Sequence, residues 1–211
     1  MAKDMTLLWG SGSPPCWRVQ VVLEEKNLQG YNSKQLGQVS SFSLPAFQHG
    51  NLIINESIGI CEYLADRFKD QGTKLVPDDY SEKAMMFQRM HEGNSLMMKA
   101  GDVIYYNFKV PEAERHESAL QRNKEALTVE VKLWEDYLTK SKGQYLVGKD
   151  FTLADAVIYP AIAYLFPKGL CEKKYPKLAE YYKNLKTRPS IQKTWPPTWF
   201  SPPGLVTLNE I

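Results

Sequence analysis

The chain has 211 residues, of which 43% are hydrophobic and 24% charged, and its net charge is only +2; that is enough to bury one large core or two small ones. The charges are interspersed, with no long Lys/Arg block, which excludes a nucleic-acid track and a polybasic membrane patch and points to small-molecule partners. Cys16, Cys61 and Cys171 are too few and too widely spaced for a disulfide framework or a cysteine-built zinc site.

Met1-Ala2-Lys3-Asp4 opens the chain without the apolar stretch of a secretory signal, and no uncharged run nears the roughly 18 residues of a membrane span, so a cytoplasmic setting is expected. Met5 to Trp9 reads as a short buried strand. From Trp17 to Lys26 a helix places Val19, Val22 and Leu23 towards a core and stops at Gly30. A strand around Leu44 to Phe47, a turn at His49-Gly50-Asn51 and a strand from Leu52 to Asn55 make a hairpin, followed by a helix from about Glu56 to Phe68. With a further strand in the gap before Leu44, this half is a small α/β unit whose helices cover a four-stranded sheet.

Turn residues gather between Asp70 and Asp79, and beyond them the strand signals fade. The expected division is 1–70, a linker at 71–80, and an all-α part over 81–211. Ser81 to about Phe108 reads as one long helix, with Met85, Met86, Met90, Met97 and Met98 giving it a deformable face. Pro111 begins the next, where Leu120, Leu127, Val131, Trp134 and Leu138 form one stripe as far as Gly143. Thr152-Leu153-Ala154-Asp155 fits a capping box with Asp in the usual Glu position. A buried helix follows, with a kink expected at Pro160, and then an amphipathic helix from Tyr175 to Arg188. The proline-rich tail Trp195-Pro196-Pro197-Thr198-Trp199-Phe200 reads as extended backbone that holds aromatic rings over something apolar. His49, His91 and His116 have no ligand spacing, so no metal is expected.

Ser13 stands before two prolines, and the second or third residue after it is expected to open the helix. Its hydroxyl then sits at the positive end of a helix whose unpaired amides favour an anion, and a bound thiol could ionise there. Lowering a thiol from a pKa of about 8.5 by about two units costs about 2.7 kcal/mol, within reach of one charge-assisted hydrogen bond plus a helix terminus. If the Leu44-Pro45 bond is cis, the Leu44 backbone can pair with a ligand's own backbone. Glu56-Ser57 at a helix start suits either capping or a ligand carboxylate.

Taken together, Trp9-Gly10-Ser11-Gly12-Ser13-Pro14-Pro15-Cys16-Trp17-Arg18-Val19, Asn55-Glu56-Ser57, Arg188-Pro189-Ser190-Ile191 and Trp195-Pro196-Pro197 resemble the soluble glutathione transferases, closest to the rho class. The resemblance implies an N-terminal α/β thioredoxin-like domain and an all-α C-terminal domain. It also implies glutathione as co-substrate, a hydrophobic electrophile as second substrate, and a homodimer. By position it assigns Ser13, with Ser11 as neighbour, to the thiolate, Leu44 and Pro45 to the cysteinyl part of glutathione, and Glu56 and Ser57 to its γ-glutamyl end. Tyr105, Tyr106, Phe108, Trp195 and Trp199, with Phe200, are the candidates for the electrophile site. Relatives of this kind carry roughly a dozen more residues before Leu44-Pro45, so 35–43 reads as shortened, either by a true deletion or by residues missing from this sequence. That shortening motivates a rival reading as a low-turnover ligand-binding or assembly protein. A third reading makes Cys16 a redox thiol.

Overall fold

The structure is a computed structural model that describes residues 2–36, 44–141, 143–200 and 207–211. Strand β1 (Met5–Trp9) is the strand expected from the apolar run, with Met5 and Leu7 turned into the core. Helix α1 (Pro14–Glu25) begins at the first residue after Ser13, one or two positions earlier than expected, because proline's fixed φ already suits the first helical position. It also ends before Gly30. Asn27 adopts φ 51°, while the amides of Asn27 and Leu28 bond back to Glu24 and Leu23 at 2.9 Å each. This double closure satisfies the last carbonyls and packs buried Leu28 near Leu23.

The strand expected in the gap is β2 (Asn32–Gln35), polar and exposed throughout. Then come β3 (Ala46–His49) and β4 (Leu52–Ile54), joined by Gly50-Asn51 with φ 57° at the glycine, the geometry that gives a two-residue hairpin the right twist. The sheet order is β2-β1-β3-β4, with β2 parallel to β1 and the other two pairings antiparallel. Helix α2 (Ser57–Arg67) follows, with Glu56 as its N-cap and Phe68 at its end.

The rest is helical among the described residues. Helix α3 (Tyr80–Ile104) is capped by Asp79, whose carboxylate accepts the amides of Ser81 and Glu82 at 2.9 Å each. The single helix expected as far as Phe108 instead breaks at Tyr105, and a separate turn α4 (Tyr106–Lys109) carries Phe108. Its methionines do not share one face: Met86 and Met90 are buried while Met85 and Met98 are exposed, as adjacent positions about 100° apart on a helix must be. Pro111 does not begin the next helix but caps a 3-10 turn at Glu112–Glu114; helix α5 (Glu117–Lys140) follows its N-cap His116 and buries the expected Leu127, Val131, Trp134 and Leu138.

Helix α6 (Leu153–Leu165) is the axis of the second half, buried along nearly its whole length and unbroken through Pro160. Its close approach to α3 depends on Gly93, where a Cβ would stand 2.0 Å from the Ile158 side chain. The expected capping box forms, and the Asp155 carboxylate accepts the Thr152 amide at 2.9 Å. Asp155 also holds the Leu146 amide at 2.9 Å and the Tyr181 hydroxyl at 3.0 Å, so three segments converge on one fully buried carboxyl. Burial pushes its pKa up to about 6 despite those donors. Helices α7 (Pro176–Lys186) and α8 (Pro189–Lys193) complete the bundle, and the tail forms a 3-10 turn at Pro197–Phe200 rather than an extended strap. No helix among the described residues is long and apolar enough to cross a membrane.

Candidate active site

Strands β1 and β4 both run antiparallel to β3, so the exit of β1, the entry to β3 and the exit of β4 lie at one end of the sheet. That topology gathers three segments far apart in sequence: the loop Gly10 to Ser13, the Leu44-Pro45 pair, and Asn55 to Ser57. Leu44 Cδ1 lies 3.5 Å from where a Cβ on Gly10 would stand, and the Leu44-Pro45 bond is cis. Pro45 is buried.

Ser13 is the N-cap of α1, and its Oγ accepts the Cys16 amide at 3.4 Å. The expectation of unpaired amides at this helix end needs correction. Pro14 and Pro15 occupy the first two helical positions and have no N–H to offer, while the third amide is the one that Ser13 caps. What remains for an anion is the partial positive charge of the helix end and the serine hydroxyls. Because Ser13 Oγ accepts at its cap bond, its own proton is free to donate elsewhere. Cys16 Sγ is buried and accepts the Gly10 amide at 3.3 Å; burial raises its pKa against that bond and the contact with Ser13, so it stays a packed thiol.

At the start of α2 the Glu56 carboxylate accepts the Ile58 amide at 3.4 Å and is otherwise open to solvent, whereas Ser57 is buried. The sequence reading missed what holds Ser57. Arg18, only 3% exposed, donates from its Nε to the Val157 carbonyl of α6 at 2.8 Å and from one terminal nitrogen to Ser57 Oγ at 3.2 Å. One guanidinium therefore ties α1, α2 and α6 together behind the site. Nearby Cys61 is fully buried and its thiol is pushed up to about 12 by burial, with the Arg18 charge acting the other way.

The second candidate group divides. Trp195 and Trp199 both meet the buried Trp17 ring edge-on at 5.1 Å, and Trp199 lies 5.2 Å from Tyr164, whose hydroxyl pairs with that of Tyr105 at 2.7 Å. Beside Pro14 lies a separate cavity of about 30 Å³, lined by Met97, Tyr105 and Tyr164 among others but by neither tryptophan. Tyr106 is committed elsewhere, since its hydroxyl accepts the His116 amide at 2.9 Å and donates to the His116 carbonyl at 3.1 Å. Phe108 is 91% exposed and borders a cleft of about 540 Å³ beside the last residues of the chain. A roomier cleft of about 740 Å³ lies between Tyr182, Lys186, Trp195 and Trp199. The side chain of Phe200 and residues 37–43, where the shortening was expected, lie outside the described residues. Tyr164 and Thr198, which meets the Ser11 loop, gave no signal of their own, and Trp17 stood out only as part of the segment that carries the resemblance; around Thr198 only the aromatic tail stood out. Among the described residues no group of three His, Cys, Asp or Glu is placed to hold a metal ion.

Residues 94–194 match the family described as Glutathione S-transferase, C-terminal domain. Over 225 aligned positions, covering all of both chains, the sequence is 56% identical to Glutathione S-transferase A of Pleuronectes platessa. The chain belongs to the glutathione S-transferase family. Transfer of glutathione is the activity that this membership brings. The transferase is also similar to the crystal structure of a glutathione S-transferase from the Antarctic clam Laternula elliptica, with 30% identity, a TM-score of 0.83 and coverage of 98% of this chain and 97% of that one. A structure from Methylobacillus flagellatus with glutathione bound shares the fold at a TM-score of 0.76 and 21% identity, covering 91% of this chain and 99% of that one. The α/β thioredoxin-like unit followed by an all-α unit is thus the family fold. As the sequence has 211 residues against 225 aligned positions, at least 14 positions of the Pleuronectes protein have no counterpart in it.

Proposed function

We propose that this transferase holds glutathione as a thiolate at the β1–α1 loop and directs it onto hydrophobic electrophiles such as lipid-peroxidation aldehydes and halogenated aromatics. Ser13 donates its free hydroxyl proton to the sulfur, with Ser11 beside it. Leu44 pairs through its backbone with the cysteinyl part, Pro45 shapes that wall, and Glu56 with Ser57 holds the γ-glutamyl end. The electrophile meets the sulfur beside Pro14, against Tyr105 and Trp199, with Trp195 behind them and Tyr106 and Phe108 on the adjoining cleft. No metal ion takes part in this scheme: the rate comes from thiolate stabilisation and proximity.

The observation that carries this reading is the convergence of the three segments at one end of the sheet, with the Ser13 oxygen accepting a cap bond and its proton unspent. Ultraviolet difference spectra of the thiolate, recorded across pH with saturating glutathione, test it. A bound-thiol pKa at least one unit below that of free glutathione is expected, and an absence of saturable binding at millimolar glutathione would overturn the reading.

The finer assignments belong to the same proposal. They are rho-like class, cytoplasmic setting, division into 1–70, a linker at 71–80 and 81–211, and assembly as a homodimer. Edge strand β4 exposes Ile53 at 66%, and α5 exposes Val129 at 67%, apolar surface that a second copy would cover. Ile53→Arg is expected to halve the mass seen in sedimentation equilibrium while leaving the circular dichroism spectrum unchanged.

A further inference from the structure

We propose that Thr198, on the C-terminal tail, is a positioning residue of the thiol site, holding the Ser11 hydroxyl so that its proton points to the glutathione sulfur. The inference rests on the reading of the serine loop given above. Ser11 Oγ and Thr198 Oγ1 are 3.2 Å apart, and either can donate. Gly12, with φ 79°, makes room for this contact: a Cβ there would stand 2.8 Å from Thr198 Oγ1 and 3.4 Å from Trp199 Nε1. No L side chain suits both that conformation and that gap.

Thr198 is not presented by a loose strand. The Trp199 amide closes the tail turn onto the Pro196 carbonyl at 2.9 Å, and Trp195 and Trp199 grip the buried Trp17 ring on α1. The Trp17 indole N–H in turn donates at 2.8 Å to Thr194 Oγ1, whose own proton goes to the Ser190 carbonyl at 2.7 Å. The tail is therefore registered against the helix that Ser13 caps.

A hydroxyl has one proton to donate and lone pairs to accept with. If Ser11 donated to Thr198, its proton would be lost to the sulfur; a bound thiolate selects the opposite arrangement, in which Thr198 donates to Ser11 and Ser11 donates to sulfur. Each link polarises the next. Thr198 then does for Ser11 what the Cys16 amide does for Ser13, filling an oxygen lone pair and leaving the proton for the ligand. The glutathione proton itself leaves to solvent on binding.

The test is the bound-thiol titration on the full chain with Thr198→Val, close in volume but without the hydroxyl, and Thr198→Ser, which restores it. Thr198→Val is expected to raise the bound-thiol pKa by about half a unit, the scale of one weakened link in a short hydrogen-bonded chain. Conjugation should then fall about two- to threefold at pH 6.5 and recover by pH 9, with Thr198→Ser matching the unaltered protein. An unchanged thiol pKa in Thr198→Val, with KM for the electrophile raised equally at every pH, would show that the residue only packs the tail, and would overturn the inference while leaving the proposed function intact. A failure of the unaltered chain to bind glutathione would instead overturn the reading of the site and this inference with it.

Discussion

Ser13→Ala is expected to lower conjugation by about 10- to 100-fold near neutral pH, because it removes one hydrogen bond to a charged sulfur, worth about 1.5–3 kcal/mol. The loss should be larger than usual for a helix-end thiolate. In most such sites the first amides of the helix share the charge, but here Pro14 and Pro15 supply none. Without Ser13 the bound-thiol pKa rises towards that of the free tripeptide, so the deficit should shrink as pH increases. Alanine also loses the cap on the Cys16 amide, at a cost of about 1 kcal/mol in stability. Separate thermal melts tell that loss from the catalytic one. An unchanged thiol pKa with undiminished conjugation in Ser13→Ala, with the damage appearing in Ser11→Ala, would reverse the roles given to the two serines.

Arg188→Met should be the most destabilising single change outside the site, at about 3–5 kcal/mol, read as a lower urea midpoint. Glu25 at the end of α1 is buried, and Arg188 grips it through Nε at 2.6 Å and a terminal nitrogen at 2.7 Å, while Ser190 donates a third bond. Truncating the arginine leaves a buried carboxylate without its counter-charge. Burial by itself would raise the Glu25 pKa, but the bonds from Arg188, Ser190 and Thr73 more than offset it, and the net effect holds the carboxyl below its ordinary value. A carboxyl depressed in the folded state adds stability that is present above its unfolded pKa of about 4.3 and disappears as pH falls through the folded value. Unfolding of the unaltered protein should therefore steepen below about pH 4.3, and Arg188→Met should flatten that slope. A double variant with Glu25→Leu losing no more than the single one would fit a coupled pair; full additivity would not.

How much was legible beforehand follows from the range of the forces involved. Periodicity and capping act over a few residues, so β1, α2, the apolar stripe of α5 and the Thr152–Asp155 box could be read directly. Strand β2, Asn-Ser-Lys-Gln, carries no apolar alternation and exists because β1 offers a free edge, so it was inferred only as a missing member of the sheet. The expected end of α1 near Lys26 holds, but the residue that turns the chain there is Asn27 rather than Gly30, because asparagine can take the left-handed conformation that glycine usually marks. Among the candidate residues, Ser13 and the Leu44-Pro45 pair stand out through local chemistry. Thr198 did not, because its contact with Ser11 spans 187 residues and is brought about by tertiary docking of the tail. Nothing local marks Arg18 beyond its place in the Ser13–Val19 segment, and its grip on Ser57 becomes visible when α2 and α6 are packed around it.

The paired prolines that open α1 have a further consequence for selectivity. A helix start with bare amides is an indiscriminate host, as welcoming to phosphate or sulfate as to a thiolate. Pro14 and Pro15 withhold two of those amides and the Ser13 cap takes the third, so phosphate and sulfate are expected to compete poorly with glutathione at the proposed thiolate seat, which a glutathione titration with and without added phosphate would read.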